Sequence, residues 1–168
     1  MLLGAALALL PGRAWCQCRG TPRPKYYMPD PAAARVVTIA NAGPAALHII
    51  VITQAVAEKE DEGGAKSCEI YAFNPSFFAV YENEPALISF RNYQADDDHN
   101  FLLLDPDSHP LMLLRLPALH ETSYLFTFHR EGLFNFHCTL HPPEMNGQIL
   151  VLPARNQSAT TAQNEKKN

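Results

Sequence analysis

Short apolar runs separated by turn-forming residues recur along most of the chain. Many of these runs alternate apolar with polar residues, and they are rich in β-branched and aromatic side chains. Asn74-Pro75-Ser76 and Arg130-Glu131-Gly132 are typical of the turns between them. The runs lie at 35–41, 47–57, 68–73, 77–82, 86–93, 99–104, 111–116, 120–128, 133–138 and 147–152. Strand-length runs with turn residues between them predict an all-β, antiparallel sandwich or barrel.

Segments without this pattern divide the rest of the chain. Residues 17–34 are rich in proline and predict an irregular N-terminal arm before a β domain at 35–153. The charged stretch EKEDEGGAKS, at 58–67, predicts a solvated loop. Residues 154–168 contain no apolar residue able to anchor them, so we expect a disordered tail.

The first residues, MLLGAALALL, form a continuous apolar run followed by small residues. This pattern predicts a signal peptide at 1–16, although no positive charge precedes the run, and the alternative is a buried N-terminal helix. Export implies a periplasmic or extracellular protein in an oxidising compartment, where Cys18 and Cys68 could form a disulfide. Cys138 then remains as the unpaired thiol.

Composition narrows the function further. A chain of 168 residues makes one domain, and its formal net charge of −4 lacks the basic footprint of a nucleic-acid-binding protein. The N-terminal apolar run is too short to span a bilayer, so we expect no membrane span in the mature form.

The candidate chemistry lies in the segment that joins the last two strands. Cys138, His141 and Met145 place a thiolate, an imidazole and a thioether within eight residues. Two imidazoles, one thiolate and a weak axial thioether suit copper, whereas structural zinc sites rarely use methionine. His99, at the edge of an apolar run, is our candidate for the second imidazole.

From about Phe73 to Leu152, the chain resembles the cupredoxins, the blue copper proteins. The matching features are Asn74-Pro75, Tyr81-Glu82-Asn83-Glu84, His99-Asn100 and the motif G-x-F-x-F-x-C-x-x-H-x-x-x-M-x-G at 132–147. The resemblance implies a Greek-key β-sandwich holding one type 1 copper ion per chain.

By the same resemblance, His99, Cys138 and His141 would be the equatorial ligands and Met145 the axial ligand. Asn100 would tie the two ligand-bearing segments together by hydrogen bonds. The protein would transfer single electrons and turn over no substrate, as a monomer that docks redox partners at the apolar residues beside His141. Those residues are Leu140, Pro142 and Pro143.

Alternative functions remain open from the sequence. One is a copper-binding or copper-resistance carrier. Another is a subunit of an oligomeric copper oxidoreductase, in which His137, pointing outward by strand parity, binds a second copper ion. The remaining histidines are expected to be ordinary surface or packing residues: His48, His109, His120 and His129. Asp96, Asp97 and Asp98 put unusual negative charge before His99.

Overall fold

The structure is a computed structural model, and it describes residues 31–60 and 67–155. A short 3₁₀ helix, Ala33–Arg35, precedes ten strands. In chain order, the strands are β1 (Val37–Ala40), β2 (Leu47–Glu60), β3 (Ser67–Asn74), β4 (Phe77–Tyr81), β5 (Ala86–Asn92), β6 (His99–Leu104), β7 (Pro110–Leu116), β8 (Glu121–Phe128), β9 (Gly132–His137) and β10 (Asn146–Leu152).

The strands form two five-stranded sheets. The first has the order β1-β8-β5-β2-β3, and the second has the order β4-β10-β9-β6-β7. Neighbouring strands run antiparallel except for β2 with β5 and β4 with β10, which run parallel. The all-β sandwich predicted from the sequence is therefore confirmed, with a mixed strand direction at two pairings.

The core lies between the sheets and is dominated by aromatic rings. Alternate residues of each strand point inward, as the period of two requires. In β9, Phe134 and Phe136 are buried at the parity expected from Cys138, while Leu133 is exposed. The ring of Phe136 contacts those of Phe73 and Phe101, at centroid distances of 5.1 and 5.0 Å. These contacts fix the end of β9 from which the candidate ligand loop departs.

The first sheet extends beyond the sandwich at one end. β2 pairs with β5 only as far as Thr53, opposite Asn92, and then continues paired with β3 alone. We call this two-stranded extension, residues 54–60 and 67–72, the β2–β3 arm. The sequence interpretation placed a loop over 58–67, whereas residues 58–60 continue β2 and Ser67 begins β3, because their backbones pair across the two strands. Residues 61–66 lie outside the described residues.

Several sequence predictions fall on parts of the chain outside the described residues. These are the signal peptide at 1–16, Cys18, the side chain of Cys68, most of the N-terminal arm and residues 156–168. Arg155, at the start of the predicted tail, pairs with Glu84 and lies over the ring of Tyr81 at 4.4 Å. Among the described residues, no helix is long and apolar enough to cross a bilayer.

Candidate metal centre

Three potential metal ligands meet at the end of the sandwich where the arm projects. His99 begins β6, and Cys138 follows the last residue of β9. The two strands are antiparallel neighbours, with Leu102 opposite His137, so the start of one lies beside the end of the other. His141 comes from the loop between β9 and β10.

The donor atoms of these three residues all lie within 4.8 Å of one another. The two Nδ1 atoms of His99 and His141 are 3.1 Å apart, and Nδ1 of His141 is 3.6 Å from Sγ of Cys138. His99 and Cys138 are fully buried, and the side chain of His141 is 10% exposed. The structure therefore brings together two of the predicted equatorial donors from one loop and the third from a strand 39 residues earlier.

Backbone hydrogen bonds close the loop that carries Cys138 and His141. The N–H of Cys138 donates to the carbonyl of Met145 at 2.9 Å, and the N–H of Met145 donates to the carbonyl of His141 at 3.3 Å. Met145 is 1% exposed, so its thioether is buried at the same end of the molecule. Its role as an axial ligand remains a prediction.

Asn100 links β6 to this loop through hydrogen bonds to Thr139. Its Nδ2 donates to Oγ1 of Thr139 at 2.8 Å, and its Oδ1 accepts from the N–H of Thr139 at 2.9 Å. Its own backbone N–H lies 3.4 Å from Sγ of Cys138. The same residue therefore anchors the loop and points a hydrogen-bond donor at the sulfur.

Burial controls the protonation of the three donors. Burial, and secondarily the nearby His141, lower the pKa of His99 to about 4. Burial also lowers the pKa of His141, against the opposing effect of Asp97. Burial raises the pKa of the Cys138 thiol. Both imidazoles are consequently neutral near neutral pH, which is the form that binds a metal.

These residues fit a bound metal ion. Bonds of roughly 2.0 Å to nitrogen and 2.3 Å to sulfur are usual for such ions, so one ion can reach donors separated by 3.1 and 3.6 Å. A thiolate with two imidazoles and a neighbouring thioether is a soft donor set that suits copper.

The structure also reveals a contact that the sequence analysis missed. Tyr71 of β3 packs its ring against the imidazoles of His99 and His141, with centroid distances of 4.9 and 4.5 Å. Its hydroxyl donates to Asp97 at 2.5 Å and also contacts Glu69. The alternation of β3 could have placed Glu69, Tyr71 and Phe73 on one face. It could not have predicted that this face contacts a loop 70 residues later.

The three aspartates before His99 have different surroundings. Asp97 places Oδ1 3.8 Å from Nε2 of His141. Asp98 instead accepts hydrogen bonds from Arg115 at 2.8 Å and from the N–H of Ala118 at 3.0 Å. Asp96 is exposed. One of the three carboxylates thus faces the candidate ligands.

His137 lies on the opposite face of its strand, as predicted. It lines an open cleft of about 330 Å³ together with Phe77, Asn135, Asn146 and other residues. Within the described ranges, two clusters of three potential ligands occur, and neither contains His137. The other cluster joins Asp105, Asp107 and His109, where Arg130 already pairs with both carboxylates.

The remaining histidines hydrogen-bond to nearby groups: His48 to Ser89, His120 to Ala118, and His129 to Thr38 and Asn83.

No family model and no curated protein match the chain. Among solved structures, auracyanin B matches 71% of this chain and 99% of its own, at 16% identity and a TM-score of 0.47. Auracyanin A, a blue copper protein of Chloroflexus aurantiacus, matches 62% of this chain and 98% of its own, at 18% identity and a TM-score of 0.44. A multicopper oxidase matches 66% of this chain and 45% of its own, at 20% identity and a TM-score of 0.47.

Because all three identities are below 25% and all three TM-scores below 0.5, the function proposed below rests on the residues of this chain.

Proposed function

We propose that this chain is an exported, mononuclear type 1 copper protein that carries single electrons between redox partners. The observation that carries the proposal is the convergence of two neutral imidazoles and one thiol at a buried point, with a thioether on the same loop. When bound, copper supplies one-electron chemistry by changing between its Cu(I) and Cu(II) states.

The protein residues have distinct roles in this proposal. His99, Cys138 and His141 are the equatorial ligands, and Met145 is the axial ligand. The backbone N–H of Asn100 stabilises negative charge on the sulfur. The closed loop and its tie to β6 limit the movement of the donors, and a site that moves little suits electron transfer better than turnover of a substrate.

A redox partner would dock at the end of the molecule that contains His141. Pro142 and Pro143 are exposed there, and Leu140 is half-buried. The imidazole of His141 is itself largely covered, so a partner would meet these residues and the edge of Asp97 first. We propose export because of the apolar run at 1–16, and a monomeric state because one chain supplies all four ligands.

An anaerobic copper titration with optical and paramagnetic-resonance detection tests the proposal. We expect one equivalent of copper to give an intense visible thiolate-to-copper band with reversible one-electron cycling. Cys138→Ser should lose the band while its imidazoles still bind copper weakly. His137→Ala is the matched imidazole control and should keep the band.

Other outcomes would identify the alternatives. An unchanged spectrum in Cys138→Ser would remove this residue from the site and contradict the proposal. Colourless Cu(I) binding that exchanges readily with chelators would indicate a copper carrier. Two copper ions per chain, one of them lost in His137→Ala, would indicate an oligomeric oxidoreductase.

A further inference from the structure

Tyr71 occupies an unusual position at the foot of the β2–β3 arm. It is only 4% exposed, it belongs to the hydrophobic core, and its ring contacts both candidate imidazoles. Rings in close contact restrict each other's orientation. The ring of Tyr71 therefore limits how far His99 and His141 can rotate.

The hydroxyl of Tyr71 extends this contact to a carboxylate. It donates to Oδ2 of Asp97 at 2.5 Å and shares its single hydrogen with Glu69. From the other side, the backbone carbonyl of Asp97 accepts a hydrogen bond from Nδ2 of Asn92 at 2.8 Å. Asp97 is thus fixed at both its side chain and its backbone, and its free oxygen, Oδ1, faces Nε2 of His141 at 3.8 Å.

The position of Asp97 bears on which nitrogen of His141 carries hydrogen. A neutral imidazole has one N–H, and a carboxylate beside Nε2 favours the hydrogen at that atom. Nδ1 then keeps its lone pair. Nδ1 is also the atom that lies 3.1 Å from His99 and 3.6 Å from the sulfur of Cys138.

The backbone of the arm supports this placement. β2 contains a bulge between Ala55 and Ala57, and Ala55 is the residue paired with Tyr71. Bulges increase local twist, and they often redirect a side chain next to a functional site. Here the bulge lies where the arm leaves the sandwich and Tyr71 turns towards the histidines.

We propose that Tyr71 is a positioning residue of the metal centre: through Asp97 it fixes the Nε2–H tautomer of His141, so that Nδ1 of this residue faces the metal. The role of Nδ1 as a metal-facing atom rests on the function proposed above, whereas the tautomer of His141 is a property of the metal-free protein. Burial and the hydrogen bond to Asp97 raise the pKa of Tyr71, so its hydroxyl remains a donor.

The test compares Tyr71→Phe, which keeps the ring and removes the hydroxyl, with Tyr93→Phe, which removes an exposed hydroxyl at the same end of the sandwich. The first measurement is nitrogen NMR of the imidazoles in the metal-free protein, at a pH where both are neutral. We expect wild type and Tyr93→Phe to hold His141 mainly as the Nε2–H tautomer. Tyr71→Phe and Asp97→Ala should both shift His141 towards the Nδ1–H tautomer.

The second measurement is the copper dissociation constant, which should rise roughly tenfold or more in Tyr71→Phe, the range known for residues that orient metal ligands. An unchanged tautomer in Tyr71→Phe overturns the proposal, whatever happens to copper affinity. If wild type binds no copper, the proposed function fails, while the NMR comparison still decides the role of Tyr71.

Discussion

Replacing Asn100 with alanine should loosen the ligand loop without removing any ligand. The substitution deletes the two side-chain hydrogen bonds to Thr139, at 2.8 and 2.9 Å, and leaves the backbone N–H that points at Cys138. Each such bond contributes about 1 kcal/mol net, so the free energy of unfolding should fall by about 2 kcal/mol. At about 4 °C per kcal/mol for a domain of this size, the Tm should fall by roughly 8 °C.

Urea and thermal unfolding of the metal-free protein, followed by circular dichroism, measure this effect. The matched control is Asn135→Ala, which removes an exposed hydrogen bond to Gln148 and should change the free energy of unfolding by about 0.5 kcal/mol or less. If Asn100→Ala were no less stable than Asn135→Ala, the tie between β6 and the loop would not contribute as argued. Faster release of bound copper from Asn100→Ala is the expected functional counterpart, because His141 lies two residues beyond Thr139.

Two further predictions concern the axial position and an ion pair. Met145→Leu should keep the visible band but raise the reduction potential, because loss of the thioether donor destabilises Cu(II) more than Cu(I). The control Met112→Leu, equally buried in β7, should leave the potential unchanged. If voltammetry gave Met145→Leu the same potential as wild type, Met145 would be removed from the site. The hydrogen bond from Arg155 lowers the pKa of Glu84, so this pair stabilises the fold above the usual pKa of a glutamate and ceases to do so as pH falls through the lowered value. Glu84→Gln should therefore be less stable than wild type in urea at about pH 7 and equal to it at about pH 2; a deficit that is the same at both pH values would contradict this account.

Much of the fold could be predicted from the sequence because its information is local. Alternation in β9 places Phe134 and Phe136 in the core, and turn residues such as Asn74-Pro75 separate strands at nearly the observed positions. The ligand loop is local as well, since its donors lie within eight residues. His99 could be predicted as the second imidazole because it stands at the edge of an apolar run.

The remainder depends on tertiary placement. Alternation gives the face of a side chain but not the direction of a neighbouring strand, so the parallel pairing of β2 with β5 could not be predicted. The charged residues at 58–60 concealed the last three residues of β2, because a charged segment resembles a loop until its pairing with a second strand is known. The contacts of Tyr71 were missed because its partners, Asp97 and His141, come from distant segments of the chain.

The β2–β3 arm depends for its stability on contacts at the point where it leaves the sandwich. A two-stranded ribbon is barely stable alone in water, so the arm relies on what its foot touches. Beyond Thr53, β2 pairs with β3 and no longer with β5. Because Tyr71 at this foot contacts His99 and His141, the packing that holds the arm in place is the same packing that surrounds the two imidazoles.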